Sequence, residues 1–154
     1  MSESTLENAL KLALSMEEQS IEIYTSAQNK VLNPSSKVLL RELVKEEEKH
    51  KNKILEAMRD PKKVKEIGSL ETRIHDLKIV DFLKDVSLAP EADYQQILIY
   101  AGKREKETHD FYLELAKKYR DKQIGKMFAK LAQEELKHKY MIEKEYDDVV
   151  LEWM

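Results

Sequence analysis

The chain has 154 residues and a net charge of −3, with 37% charged residues, three glycines, three prolines and no cysteine. Its length suits one domain, and the excess of Glu, Lys, Leu and Ala over Gly and Pro predicts an all-α fold. The nearly balanced charge disfavours nucleic acid and anionic membranes as partners, and the lack of cysteine excludes disulfides, thiolate zinc sites, iron held by four thiolates and iron–sulfur clusters within this chain.

Two long helices are predicted in the first part of the chain, over about 5–60. The first carries a stripe of apolar or small residues that is interrupted by Glu17. Asn33 and Pro34 separate the helices, because Asn favours the N-cap and Pro fits the first helical position. The second helix has Glu47 and His50 on its apolar stripe. These helices form the first predicted hairpin.

A second hairpin is predicted over about 94–154. One of its helices carries Glu105 on its apolar stripe, and the other carries Glu135 and His138. Asp121 is the expected cap between them. The second hairpin therefore repeats the organisation of the first.

The segment between the hairpins, about 61–93, is long for a connection inside a compact domain. It contains Gly68, Pro90 and one short amphipathic piece at 79–83. A crossover along an antiparallel four-helix bundle explains its length, because ferritin-like bundles contain one such connection. We therefore predict that residues 1–154 form a single four-helix bundle domain.

The two hairpins also match residue by residue. Adding 88 to a number in the first hairpin gives its counterpart in the second, and seven of the twelve positions in 43–54 are identical to their counterparts. The pairs that bear on chemistry are Glu17/Glu105, Tyr24/Tyr112, Glu47/Glu135 and His50/His138. Such a duplication predicts a pseudo-twofold axis with equivalent residues facing each other.

Glu17 and Glu47 should lie at one level of the bundle. Each is roughly 20 Å from the loop end of its helix, at 1.5 Å per residue, and an antiparallel hairpin places them side by side. Glu47 and His50, three residues apart, point from one helical face. By the repeat, each hairpin supplies two carboxylates and one imidazole.

This arrangement predicts a two-metal site, because four buried carboxylates must be neutralised and two divalent cations balance them. The predicted ligands are Glu17, Glu47, His50, Glu105, Glu135 and His138. Oxygen ligands with a minority of imidazole suit iron best, with manganese or zinc as alternatives. A solvated charged face is the competing interpretation of one Glu-Glu-x-x-His run, but two copies on apolar stripes favour metal. The flanking glutamates are predicted to be solvated: Glu18, Glu46, Glu48, Glu107 and Glu134.

Four further residues are candidates for a supporting role around the ligands. Tyr24 and Tyr112 stand two turns after Glu17 and Glu105, and a buried phenol needs an acceptor such as a ligand carboxylate. Thr108 and His109 follow Glu105 within about one turn. A local hydrogen bond is the preferred interpretation of His109, whose counterpart in the repeat is apolar.

The motifs Glu46-Glu47-Glu48-Lys49-His50 and Glu134-Glu135-Leu136-Lys137-His138, with the helices around Glu17 and Glu105, resemble the rubrerythrin branch of the ferritin-like di-iron family. The resemblance covers both hairpins but not the crossover. It implies that Glu17 and Glu105 are lone ligands, Glu47 and Glu135 shared ones, and His50 and His138 the imidazole ligands.

Two departures from that family bear on the reaction. Rubrerythrins have another glutamate one turn after the ligand of the third helix, where this chain has Thr108, and they usually carry a rubredoxin-type domain, which needs cysteine. The resemblance implies redox handling of peroxide or O2, a small oxidant substrate and an external electron donor. The alternatives are a ferroxidase or iron-handling protein, or a metal-stabilised structural bundle without turnover.

Location and assembly rest on simpler features. The first five residues lack the basic and apolar regions of a signal peptide, and no apolar run approaches about 20 residues, which predicts a cytoplasmic protein. Ile97, Ile99 and Met127 are expected on outer helix faces, which makes a homodimer plausible.

Overall fold

The computed structural model describes residues 6–59 and 92–150. These residues form four α-helices, α1 (Leu6–Gln28), α2 (Pro34–Arg59), α3 (Tyr94–Lys118) and α4 (Gln123–Glu145), followed by a π-helical turn (Tyr146–Val150). No strand occurs in these described ranges, so the predicted all-α four-helix bundle is confirmed. The predicted crossover, with its amphipathic piece at 79–83, lies almost entirely outside the described residues.

The helices pack as two hairpins. Most contacts join α1 to α2 and α3 to α4, while fewer join α1 to α3 and α2 to α4. The first turn forms as expected, because the Asn33 side-chain oxygen accepts a hydrogen bond from the backbone N–H of Ser35 at 2.8 Å and Pro34 begins α2.

The cap predicted at Asp121 is wrong. Lys122 occupies the N-cap position of α4 and its side chain makes no capping hydrogen bond. Asp121 instead has a positive φ of 70°, a left-handed conformation that Asp tolerates better than most residues. The cause is that α3 continues to Lys118, two residues beyond the counterpart of the end of α1 at Gln28, which leaves a tighter turn.

Two apolar clusters fill the ends of the bundle. The cluster near the α1–α2 turn includes Tyr24, Leu43, Leu98 and Ile142, and the cluster at the other end includes Leu10, Ile54, Tyr112, Phe128 and Leu131. On every helix the predicted ligands lie between the residues of these two clusters. The bundle therefore surrounds a polar layer with apolar packing above and below it.

The residues that suggested a homodimer are buried within one chain. Ile97, Ile99 and Met127 are 3%, 8% and 0% exposed, so their predicted place on outer faces is wrong. They pack into the two apolar clusters instead. Among the helices that the structure describes, none is both long and apolar enough to span a membrane.

Candidate metal centre

The six predicted ligands come together in the polar layer. Each is at most 1% exposed, and all four helices contribute: Glu17 from α1, Glu47 and His50 from α2, Glu105 from α3, Glu135 and His138 from α4. This burial disagrees with the solvated-face interpretation, because charged side chains are rarely buried without partners.

The predicted ligands form two overlapping groups of four residues. The His50 group contains Glu17, Glu47, His50 and Glu135, and the His138 group contains Glu47, Glu105, Glu135 and His138. Within each group the candidate ligand atoms all lie within 4.8 Å of one another. Adding or subtracting 88 converts one group into the other, with Glu47 and Glu135 shared. The membership of the two groups therefore follows the duplication, as a pseudo-twofold arrangement requires.

Several buried atoms of these groups lack hydrogen-bond partners among the described residues. They are Oε1 of Glu17, both carboxylate oxygens of Glu47, Oε1 of Glu105, Oε2 of Glu135 and Nδ1 of His138. Leaving a buried polar atom unsatisfied costs about 1–3 kcal/mol, so six in one layer need a common partner. A cation that accepts oxygen and nitrogen donors supplies one, and the residues therefore fit a metal centre.

The carboxylates differ in how readily they hold protons. Burial and the charges of Glu105 and Glu17 raise the pKa of Glu47 to about 7. Burial and the neighbouring carboxylates also raise the pKa of Glu135. Burial alone would raise the pKa of Glu105, but polar contacts with Glu135 and with His138, whose Nδ1 lies 3.7 Å away, and the charge of His138 lower it to about 2. Without metal, protons therefore collect on the two shared glutamates.

The pKa values of the two histidines depend on the same carboxylates. Burial acts to lower the pKa of His50 and of His138, but the surrounding carboxylates outweigh it and raise both pKa values well above the ordinary range. The two rings stack with centroids 5.3 Å apart and planes inclined by 15°. In the absence of metal, protonated imidazoles partly neutralise the centre.

Tyr24 and Tyr112 bond to ligand carboxylates, as predicted, and each bond crosses between the hairpins. The hydroxyl of Tyr24 donates to Glu105, and that of Tyr112 donates to Glu17 at 2.5 Å. Burial and the nearby carboxylates raise the pKa of both phenols well above the ordinary value. Both phenols stay protonated and hold the two lone glutamates in place.

The other two supporting candidates do not face the ligand atoms. The hydroxyl of Thr108 donates to the backbone carbonyl of Glu105 at 3.1 Å. Nδ1 of His109 donates to the backbone carbonyl of Ala132 at 2.8 Å, which agrees with the preferred interpretation of a structural hydrogen bond. Neither residue belongs to the His50 or His138 group.

Glu134 is a functional neighbour that the sequence interpretation missed. Its carboxylate lies 2.7 Å from Nε2 of His50, and its side chain is 26% exposed rather than fully solvated. Burial alone would raise the pKa of Glu134, but the hydrogen bond and charge of His50 lower it to about 2. The sequence held no signal for this contact, because Glu46, the identical residue in the repeat, pairs with Lys49 instead.

Lys139 and Glu143 were also missed. They form an ion pair at 3.5 Å and are 1% and 0% exposed. Their separation of four residues on α4 is the spacing that brings opposite charges together on a helix.

Comparison with known families agrees with this geometry. A family model described as Rubrerythrin matches residues 8–146, a range that includes the segment between the hairpins as well as all six ligands. A search of curated proteins and a search of solved structures gave no match. Because the family model covers most of the chain, and its match spans the whole buried cluster, the chain belongs to the rubrerythrin family.

Proposed function

We propose that this chain is a non-haem di-iron protein in which the His50 and His138 groups each hold one metal ion. The observation that carries the proposal is the pair of overlapping ligand groups that share Glu47 and Glu135. Four carboxylates and two neutral imidazoles balance two divalent cations, whereas one cation leaves two negative charges buried. The oxygen-rich donor set favours iron, with manganese or zinc as alternatives.

The proposed reaction is reduction of peroxide or O2. Iron held by the His50 and His138 groups would supply the electrons, and an external donor would have to replace them, because the chain has no cysteine for a thiolate iron site of its own. For peroxide, two electrons and two protons give two waters. The apolar clusters shield the centre toward the two ends of the bundle, and Tyr112 and Tyr24 hold Glu17 and Glu105 in place.

Metal analysis and rapid kinetics test this proposal. Protein purified from its own source should contain two iron ions per chain. Stopped-flow spectra of the fully reduced protein should show faster oxidation by hydrogen peroxide than by O2, and an added reductant should sustain turnover. The variant Glu48→Gln is a suitable control, because Glu48 is exposed and adjoins Glu47 on α2. One metal or none at saturation, or no reaction with either oxidant, contradicts the proposal.

A ferroxidase or iron-handling role is the second candidate, and Thr108 favours it. The position where rubrerythrins have another glutamate holds a hydroxyl that donates to the backbone of α3, so this residue supplies no further carboxylate to the centre. A ferroxidase oxidises added Fe(II) with O2 and does not consume peroxide steadily with a reductant. Oxidation of added Fe(II) by O2, without steady consumption of peroxide or O2 in the presence of a reductant, selects this candidate.

A further inference from the structure

The outer nitrogens of the two histidines have different surroundings, although their neighbours are identical in the repeat. Nε2 of His50 lies 2.7 Å from the carboxylate of Glu134. Glu46, the counterpart of Glu134, instead pairs with Lys49 at 3.2 Å and has a side chain that is 36% exposed. A carboxylate on the far nitrogen fixes the orientation of a metal-binding imidazole and strengthens it as a ligand. His50 has this support from Glu134, whereas Glu46 is engaged elsewhere.

A cavity between α2 and α4 reaches the other histidine. It has a volume of about 240 Å³, and His138 and Met141 form part of its wall. Nδ1 of His138 lies 3.5–3.7 Å from carboxylate oxygens of its own group, so one edge of this ring faces the centre while the ring also lines the cavity. The charged residues of the lining are Glu42, Glu46, Glu134 and Lys137. Two of these carboxylates have cationic neighbours outside the lining, Lys49 at 3.2 Å from Glu46 and Lys53 at 4.0 Å from Glu134, so Glu42 is the lining carboxylate best placed to attract a divalent cation.

We propose that the two ligand groups exchange their metal ions with solvent at different rates. The His138 group exchanges divalent cations through the α2–α4 cavity, whereas the His50 group retains its ion because Glu134 fixes the orientation of the imidazole. This inference rests on the proposed two-metal centre. Glu134 is a positioning residue, since it acts through His50, and Glu46 provides its symmetry-related control.

Release of Co(II) into excess EDTA tests the inequality without any redox turnover. Protein loaded with two Co(II) ions should lose them in two phases. The visible absorption of bound cobalt measures this loss. Glu134→Ala should accelerate the slow phase by about 10–100-fold, the usual effect of removing such a partner on metal affinity. Glu134→Gln, which keeps an acceptor, should give an intermediate rate. Glu46→Ala removes a carboxylate of the same cavity but none beside His50, so it should alter the fast phase and leave the slow phase within about twofold of the original protein.

Uptake of Co(II) by the metal-free protein tests the route. Glu42 is exposed and lines the cavity, so Glu42→Lys should slow the fast phase of uptake several-fold. Glu56→Lys makes the same charge change at an exposed position of α2 about 21 Å further along the helix and should have little effect.

The outcomes separate this inference from the proposed function. Two bound cobalt ions that leave in one phase, or equal effects of Glu134→Ala and Glu46→Ala, overturn the inference but not the two-metal centre. Equal slowing of uptake by Glu42→Lys and Glu56→Lys overturns the cavity as the route. Fewer than two cobalt ions at saturation overturns both the inference and the proposed function. A centre that shows two phases but no reaction with oxidants supports the inference and contradicts the redox role.

Discussion

Replacing Glu47 by glutamine should stabilise the metal-free protein and remove its response to metal. Glu47 is fully buried and belongs to both ligand groups, and although Nδ1 of His50 lies 3.1 Å from one of its oxygens, burial and the neighbouring carboxylates outweigh that contact. Its pKa rises from 4.5 to about 7 because burial and the charges of Glu105 and Glu17 disfavour the ionised form. Glutamine keeps the shape of the side chain but carries no charge.

The size and pH dependence of the effect follow from proton linkage. Glu47 binds its proton more tightly in the folded chain, so its contribution is fully present below about pH 4.5 and is lost as the pH rises through about 7. The difference between 4.5 and about 7 corresponds to about 3 kcal/mol. At about pH 8, Glu47→Gln should therefore raise the Tm of the metal-free protein by roughly 6–12 °C, and near pH 4.5 it should change little.

Thermal melts at both pH values, with chelator and with added metal, provide the assay. Metal should raise the Tm of the original protein and of Glu48→Gln, but not that of Glu47→Gln, because both groups lose a shared ligand. Glu48 is exposed and its substitution should leave every melt unchanged. If metal-free Glu47→Gln is no more stable than the original protein at about pH 8, the reasoning about mutual repulsion is refuted.

Three other expectations concern the hydrogen bonds, protons and packing around the centre. Tyr112→Phe removes the hydrogen bond to Glu17 and should destabilise the protein by about 1.5–3 kcal/mol, as measured by denaturant unfolding. Tyr100→Phe, at a half-buried position, should have a small effect. Equal effects of the two variants would contradict the role of the Tyr112 phenol. Metal loading at about pH 6 should release protons, because the pKa of Glu47 is about 7 and the pKa values of His50 and His138 are raised. An indicator dye detects the release. No release would show that these groups are already deprotonated. Gly125→Ala should lower the Tm, because the new Cβ would lie 2.1 Å from the carbonyl oxygen of Tyr119. Without such a clash, Gly→Ala in a helix usually adds about 1 kcal/mol of stability, so a higher Tm would contradict this packing.

The sequence predicted the residues whose placement follows from helical periodicity and duplication. Glu17, Glu47 and His50 interrupt apolar stripes, and the repeat then identifies their partners, so the cluster could be predicted before any packing was known. The helix boundary at Asn33 and Pro34 could also be predicted, because it depends on the local backbone preferences of these two residues.

Tertiary packing decided the features that the sequence interpretation missed. Asp121 matches Asn33 in the repeat, but the longer α3 changes the turn and moves the cap position to Lys122. Glu46 and Glu134 are identical in the repeat, yet Glu134 forms a hydrogen bond with a histidine of the other hairpin whereas Glu46 pairs with Lys49. Ile97 was predicted on the outer face of α3 because only the stripe that contains Glu105 was expected to be buried. The helix in fact buries a wider face that includes Ile97. A repeat predicts which residues correspond but not how far each copy has diverged.

The division of ligands between the hairpins has a consequence for protein synthesis. The His50 group takes three residues from the first hairpin and Glu135 from the second, and the His138 group takes Glu47 from the first. A nascent chain that has emerged only through α2 therefore has no complete group, however well its hairpin has folded. Neither position can be filled on the ribosome until α4 has left the exit tunnel and docked. In the proposed two-metal centre, metal acquisition therefore has to follow the docking of α4, and the ions would join two hairpins that make fewer contacts with each other than within themselves.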